Sequence, residues 1–216
     1  PNAPTGSATS GSATSINVSL TGVANASSYT ARIYLASDTS TALQTLTSFT
    51  SGSAITGLTA NTAYVVTITA IGDGISYADS APSPFSSSIT TNPAAATPVV
   101  AAPSSASKNV GQTNLFSSSA TVSDGGSLSY QWQVSTNSGS TWSDISGATA
   151  SQYTTPTLVI GDNGKQYRMA ATNSKNGTTT TAYSAAATLT VTRTTLATPN
   201  APTGSATSGS ATSINV

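Results

Sequence analysis

Residues 1–18 and residues 199–216 are the same eighteen letters, PNAPTGSATSGSATSINV. An identity of that length does not arise by chance. The start moves from position 1 to position 199, so the chain is one full period of 198 residues plus the opening of the next. Identical copies read as recent duplication within a long tandem array, where each unit touches mainly its neighbours. The competing reading is an appended tail. A period of this length holds two domains of about 100 residues, close to the commonest domain size.

Composition decides what kind of domain fits. Ser and Thr number 79 of the 216 residues, charged residues are 6%, and Glu, His and Cys are absent. Apolar residues reach only 37%, so any core is thin. Thin cores suit small β-sandwiches, in which alternate residues of each strand turn inward. A disordered chain is excluded by its opposite signature: few β-branched and aromatic residues, and net charge. Here Val, Ile, Thr and Tyr alternate over several runs and the net charge is zero. A neutral chain without Lys/Arg clusters has no handle for nucleic acid or an anionic membrane. Nor does any stretch approach the ~20 apolar residues that span a bilayer. Pro1 is not an initiating Met and no signal peptide follows, so the chain reads as a mature fragment or an internal excerpt. The absence of Cys rules out disulfides as the stabilising device and suits a bacterial surface protein.

Period-2 alternation marks half-buried strands at Ile16–Leu20, at Tyr29–Leu35 and at Tyr64–Ala70. Turn clusters at residues 51–53 and 72–74 separate them, and no segment has helical spacing. Pro1 and Pro4, Tyr29 and the run GLTANTAYVVTITAIG together resemble the fibronectin type III family over residues 1–92. The resemblance implies seven strands in two sheets and a tyrosine corner at Tyr64, with Leu58 six residues before it. The family's usual Trp on the second strand is replaced by Leu20. There is no Arg-Gly-Asp, and Asp73 between two glycines reads as a turn former.

A Pro/Ala/Thr-biased segment, residues 93–98, reads as a linker, and residues 193–198 read as a second one. Between them, over residues 99–192, SYQWQVSTNSGSTWSDISGATASQYTT and GDNGKQYRMAATN resemble bacterial immunoglobulin-like domains. The resemblance puts Trp132 at the core position and Tyr167 at the tyrosine corner. It places the two half-cystine positions at Ser118 and Met169, so Trp132 packs on Met169, a favourable sulfur–aromatic contact. Trp142 follows a turn at residues 137–140 and lies on the second arm of a hairpin with Trp132. It either covers the edge of its own sandwich or offers a sugar-stacking platform. Lys165 and Arg168 read as a solvated face.

Without His or Cys, most nucleophile–base pairs and zinc sites cannot be built, and without Glu, paired-carboxylate glycosidase chemistry would need two Asp residues. No cofactor is called for. The six Asp residues sit mostly in turns, leaving at most a weak calcium site at a domain junction. A Lys–Asn crosslink would have to use Lys108, Lys165 or Lys175. The expected architecture is therefore all-β, two consecutive antiparallel sandwiches repeated in tandem. The expected function is structural: a non-catalytic unit of an extracellular stalk or filament whose partners are neighbouring copies of itself. Two alternatives stand beside it, an adhesin repeat binding cell-surface glycans or other cells through its loops, and a linker region of a secreted polysaccharide-degrading enzyme. Residues 199–216 hold only the start of a sandwich, so they need completion by the continuing chain or by strand complementation.

Overall fold

The computed structural model describes residues 1–195 together with strand pairing at Thr207–Ser208 and Ile214–Asn215. Among the described residues there is no α-helix, and a 3-10 turn at Ile160–Asp162 interrupts the strands. The first sandwich contains β1 (Thr5–Ser12), β2 (Ser15–Thr21), β3 (Ser28–Leu35), β4 (Gln44–Leu46), β5 (Ala54–Thr56), β6 (Ala63–Ile71) and β7 (Ile89–Thr90). They form two sheets, ordered β1-β2-β5 and β4-β3-β6-β7. Ile16 and Val18 of β2 face Ala31 and Ile33 of β3 and Val66 and Ile68 of β6 across the buried core. Leu20, at the place of the missing Trp, is only partly buried against that core. β6 departs from the expected half-burial, with Tyr64 through Ala70 all buried. The strand is central: β3 lies along one edge and the returning chain covers the other.

That returning chain explains much of the serine content. From residue 79 to 88 it runs beside β6 without forming a regular strand. Ser80, Ser83 and Ser86 donate their backbone N–H to the carbonyls of Ala70 (2.8 Å), Ile68 (2.8 Å) and Val66 (2.9 Å). Each serine hydroxyl then accepts the N–H of the same β6 residue at 3.0 Å. The hydroxyl protons go to the carbonyls of Ala81, Pro84 and Ser87. Three residues here oppose two of β6, so the extra residue repeats as a bulge. Pro82 and Pro84 fall between the pairing serines, where no N–H is required.

The second sandwich contains β8 (Val99–Val100), β9 (Ala106–Asn109), β10 (Leu115–Ser117), β11 (Ala120–Thr121), β12 (Ser127–Ser135), β13 (Ser143–Asp144), β14 (Gln152–Thr154), β15 (Gln166–Lys175), β16 (Thr178–Tyr183) and β17 (Ala187–Thr192). The large sheet runs β13-β12-β15-β17-β9, with β16 also paired to β15. The pairs β10-β14 and β8-β11 lie outside that sheet. One pairing is not antiparallel: β9 runs parallel to β17, Ala106 opposite Leu189 through Asn109 opposite Thr192. The chain enters at one pole and leaves at the other, so its first and last long strands share a direction. Between β16 and β17 the serine device recurs. Ser184 donates its N–H to the Met169 carbonyl and accepts the Met169 N–H on its hydroxyl, both at 2.9 Å.

Beyond the second sandwich, Thr207 stands opposite Asn215 and Ser208 opposite Ile214. The first copy pairs Thr9 with Asn17 and Ser10 with Ile16, the same register moved by one period. The rest of 196–216, where completion by a partner is expected, lies outside the described residues.

Replacing Ser80 by Ala leaves the buried Ala70 N–H without its acceptor. Chemical denaturation should show a loss of about 1–2 kcal/mol. Ser87→Ala, on the solvent side of the same segment, should stay within about 0.5 kcal/mol of the parent.

Candidate functional site

The core residues come first, because they hold the rest in place. Leu58 and Tyr64 are both buried in the first core. The Tyr64 hydroxyl accepts the Thr59 N–H at 2.9 Å, which ties the turn before β6 to the strand. Trp132 and Met169 stand directly opposite across β12 and β15, and both are fully buried. Trp132 also donates its indole N–H to the Ala150 carbonyl at 2.9 Å.

Two expectations are corrected. The inward residue of β10 is Phe116, which is buried, while Ser118, just past the end of that strand, is only half-buried and donates its hydroxyl to the Ala101 carbonyl. Alternation along β10 fixes this, and the two-residue offset keeps the same face. Tyr167 is buried, yet among the described residues its hydroxyl has no hydrogen bond. Its ring stacks on Phe116 at 4.6 Å between centroids and on Tyr153 at 5.9 Å. Burial, then the nearby Tyr153 and Asp162, push its pKa up to about 12. Tyr167 is therefore a stacking residue rather than a hydrogen-bonded corner.

Trp142 is half-buried at the start of the β13 arm, and its indole N–H returns to the Gly139 carbonyl at 3.1 Å. The Arg168 guanidinium lies 4.2 Å from the Trp142 ring centre and 4.1 Å from that of Tyr183. Its Nε donates to Gln133 Oε1 at 2.8 Å, and Gln133 in turn donates to Asp144 at 2.8 Å. Arg168 was expected on a solvated face with Lys165. Instead it is held between two rings, where burial lowers its pKa from the ordinary arginine value. Lys165 pairs with Asp162 at 2.6 Å. A ring face already covered by a guanidinium is poorly placed to stack on a sugar.

The segment expected as a linker, residues 93–98, is anchored to the second sandwich. Asp124 accepts the Ala96 N–H at 2.7 Å and the Gly126 N–H at 2.9 Å. The fully buried Asn173 amide donates to both Asp124 oxygens and to the Ala96 carbonyl. A Cβ on Gly126 would fall 2.0 Å from Asn173 Oδ1, so only glycine leaves room for this amide. Thr178 and Thr180 hold the two sides of Ala95 through its N–H and carbonyl. These donors fill the Asp124 carboxylate and hold its pKa below the ordinary value, the Ala96 N–H most strongly, then Gly126 and Asn173, with Lys175 adding a favourable charge. The β15–β16 turn completes the junction. Asn176 and Gly177 both have positive φ (50° and 77°), the signature of a tight two-residue hairpin. The tip reaches the first sandwich directly: the Ala13 N–H donates to the Asn176 carbonyl at 2.8 Å, and Asn176 Nδ2 donates to the Pro93 carbonyl at 2.9 Å.

The Asn-Gly pair between Thr-rich runs is a hairpin signal that the sequence carries openly. Asp124 and Asn173, 49 residues apart, have no such signal. Among the described residues no group of three or more acidic side chains is placed to hold a metal ion, and no helix is long and apolar enough to cross a membrane.

A family model described as "Domain of unknown function (DUF8696)" matches residues 97–193, a span that takes in the second sandwich from β8 to β17. No curated protein matches the chain. Among solved structures, the chain is similar to the FN1–FN3 domains of chicken CNTN1, with 14% identity over 89% of this chain and 67% of that one, at a TM-score of 0.36. It is also similar to a two-domain fibronectin type III segment of chicken tenascin, with 15% identity over 87% of this chain and 99% of that one, at a TM-score of 0.35. The sandwich architecture stands on the strand order and register of this chain itself.

Tyr64→Phe removes the acceptor of the Thr59 N–H and should destabilise the first sandwich by about 1 kcal/mol or more. Tyr167→Phe keeps the ring stack and loses no bond, so its denaturation midpoint should stay near that of the parent. Equal losses in the two variants would contradict this division of roles.

Proposed function

We propose that the chain is one period of an extracellular tandem-repeat stalk or filament of bacterial type, non-catalytic, in which each unit acts as a spacer of set geometry. The observation that carries this reading is the clamped junction. A segment with linker composition is held by hydrogen bonds on both of its sides, and the Asn176–Gly177 tip touches the preceding sandwich. A flexible tether between ligand-binding modules has no use for such fastening, whereas a spacer requires it. The identical opening of a second copy supports repetition. Low charge and a hydroxyl-rich surface suit a hydrated, non-adhesive rod. Two sandwiches of this size placed end to end advance roughly 70–80 Å, from the usual dimensions of ~100-residue domains. Glycan binding through Trp142 has less support, because Arg168 already occupies a face of that ring.

Small-angle scattering tests the reading. The chain should give a narrow distribution of interdomain arrangements. Asp124→Ala should broaden it, because the N–H groups of Ala96 and Gly126 and the Asn173 amide lose their acceptor together. A broad distribution already present in the parent would refute the spacer.

The junction should also respond to acid. The Asp124 carboxylate has a folded pKa below its unfolded value, so its contribution is complete above the unfolded value, about 3.9. It is lost as pH falls through the lower folded value. The scattering profile should therefore hold from neutral pH to about pH 5 and broaden only in stronger acid.

A further inference from the structure

The junction inside the period uses one pole of each sandwich, and among the described residues nothing covers the other two. At the exit pole of the second sandwich, Val110, Val159 and Ile160 border a shallow apolar cleft with Arg193 and Thr194. Val159 is 58% exposed and Ile160 45% exposed. Their backbone is fixed: Val110 N–H bonds the Thr192 carbonyl, Gly111 N–H the Leu158 carbonyl, and Val159 N–H the Asp162 carboxylate. The apolar groups are thus held out to solvent on ordered backbone, where each exposed side chain forgoes its burial free energy.

The leading pole of the first sandwich carries a matching feature. Ile75 is 93% exposed and Tyr77 43% exposed. They sit on a turn that Asp73 organises by accepting the N–H groups of Ile75, Ser76 and Tyr77 at 2.8–2.9 Å. The turn abuts the residues before β3, where the Ser27 hydroxyl bonds the Gly72 carbonyl. Thr5, the first residue of β1, pairs with Thr21 on this same side. The leading pole is therefore also where the chain enters the sandwich.

The geometry points to a second junction: the Val110–Val159–Ile160 cleft seats the leading turn of the following copy, with Ile75 and Tyr77 of that copy covering it. The occupant follows from the chain itself. Arg193 and Thr194 leave from the cleft, and the next copy begins at Pro199. Only residues 195–198 lie between Thr194 and the start of the next copy. That copy's leading pole is where the chain enters it, so the two patches have a high effective concentration for each other. The junctions of the array would then alternate, polar and hydrogen-bonded within a period, apolar between periods. This inference rests on the tandem reading above.

The chain contains no Cys, so paired cysteines report this contact without background. In a chain of two consecutive periods, Val159→Cys in the first period is combined with Ile75→Cys in the second. The control combines Val159→Cys with Ser40→Cys of the second period, an exposed position at the opposite pole of that sandwich. Under mild oxidation the first pair should close to an intramolecular disulfide at least about tenfold faster than the control. Equal rates would overturn the docking. So would faster closure of Val159→Cys with Leu196→Cys of its own linker, which would make the linker the cover. Scattering on the same chains separates the two levels of the argument. If the junction at Asp124 stays rigid while the cysteines fail to pair, only the docking fails. If the Asp124 junction is itself broad, the spacer reading fails with it.

Discussion

A buried backbone N–H needs an acceptor, and at several places where regular strand pairing stops this chain supplies one from a hydroxyl. The constraint is general, because an unpaired buried N–H costs about as much as a lost hydrogen bond. The solution is particular to a sequence rich in Ser and Thr. Beside β6, Ser80, Ser83 and Ser86 each act as donor through the backbone and acceptor through the side chain. Ser184 does the same for Met169, and Thr155 for Asn114. Thr91 bonds both groups of Thr62 in this way, where the first sandwich closes. Strands that proline would otherwise end can continue, and both sandwiches close on their last segments.

With pairing settled by hydroxyls, the cores can be thin. The second is built around four aromatic rings, Phe116, Trp132, Tyr153 and Tyr167, with neighbouring centroids 4.6–6.2 Å apart. Ring–ring contacts in this range add to the area that the rings bury. Met169, opposite Trp132, occupies a place where the family resemblance implies half of a disulfide. Outside this core, Arg168 between Trp142 and Tyr183 extends the packing across the solvent face of the sheet. A residue type that usually marks a wet surface here stiffens one.

The strands with strong alternation were readable from the letters: Ile16 to Leu20, Tyr29 to Leu35 and Tyr64 to Ala70 lie within β2, β3 and β6. What periodicity could not show is that β6 is buried on both faces, since that depends on which segment covers its far edge. Counting from the family spacing gives Ser118, whereas the inward residue of β10 is Phe116, two residues earlier. Tyr167 has the spacing of a corner residue but stacks instead, because Phe116 and Tyr153 arrive from β10 and β14. The junction was the least legible part. Residues 93–98 have the composition of a tether, and composition says nothing of an acceptor at Asp124 or an amide at Asn173. The pairing of those two residues exists only once β12 and β15 are in register.

The parallel pairing of β9 with β17 has a mechanical side. The chain enters the second sandwich just before β8 and leaves just after β17, at opposite poles. A pull on the two ends is directed along β9 and β17 in opposite senses, so it slides one strand past the other. The bonds joining Ala106–Asn109 to Leu189–Thr192 are then loaded together, rather than opened one after another as they would be at the end of a hairpin. A pair of strands loaded in this way yields only when several hydrogen bonds break at once. The domain would keep its length under a tension that peels a hairpin apart.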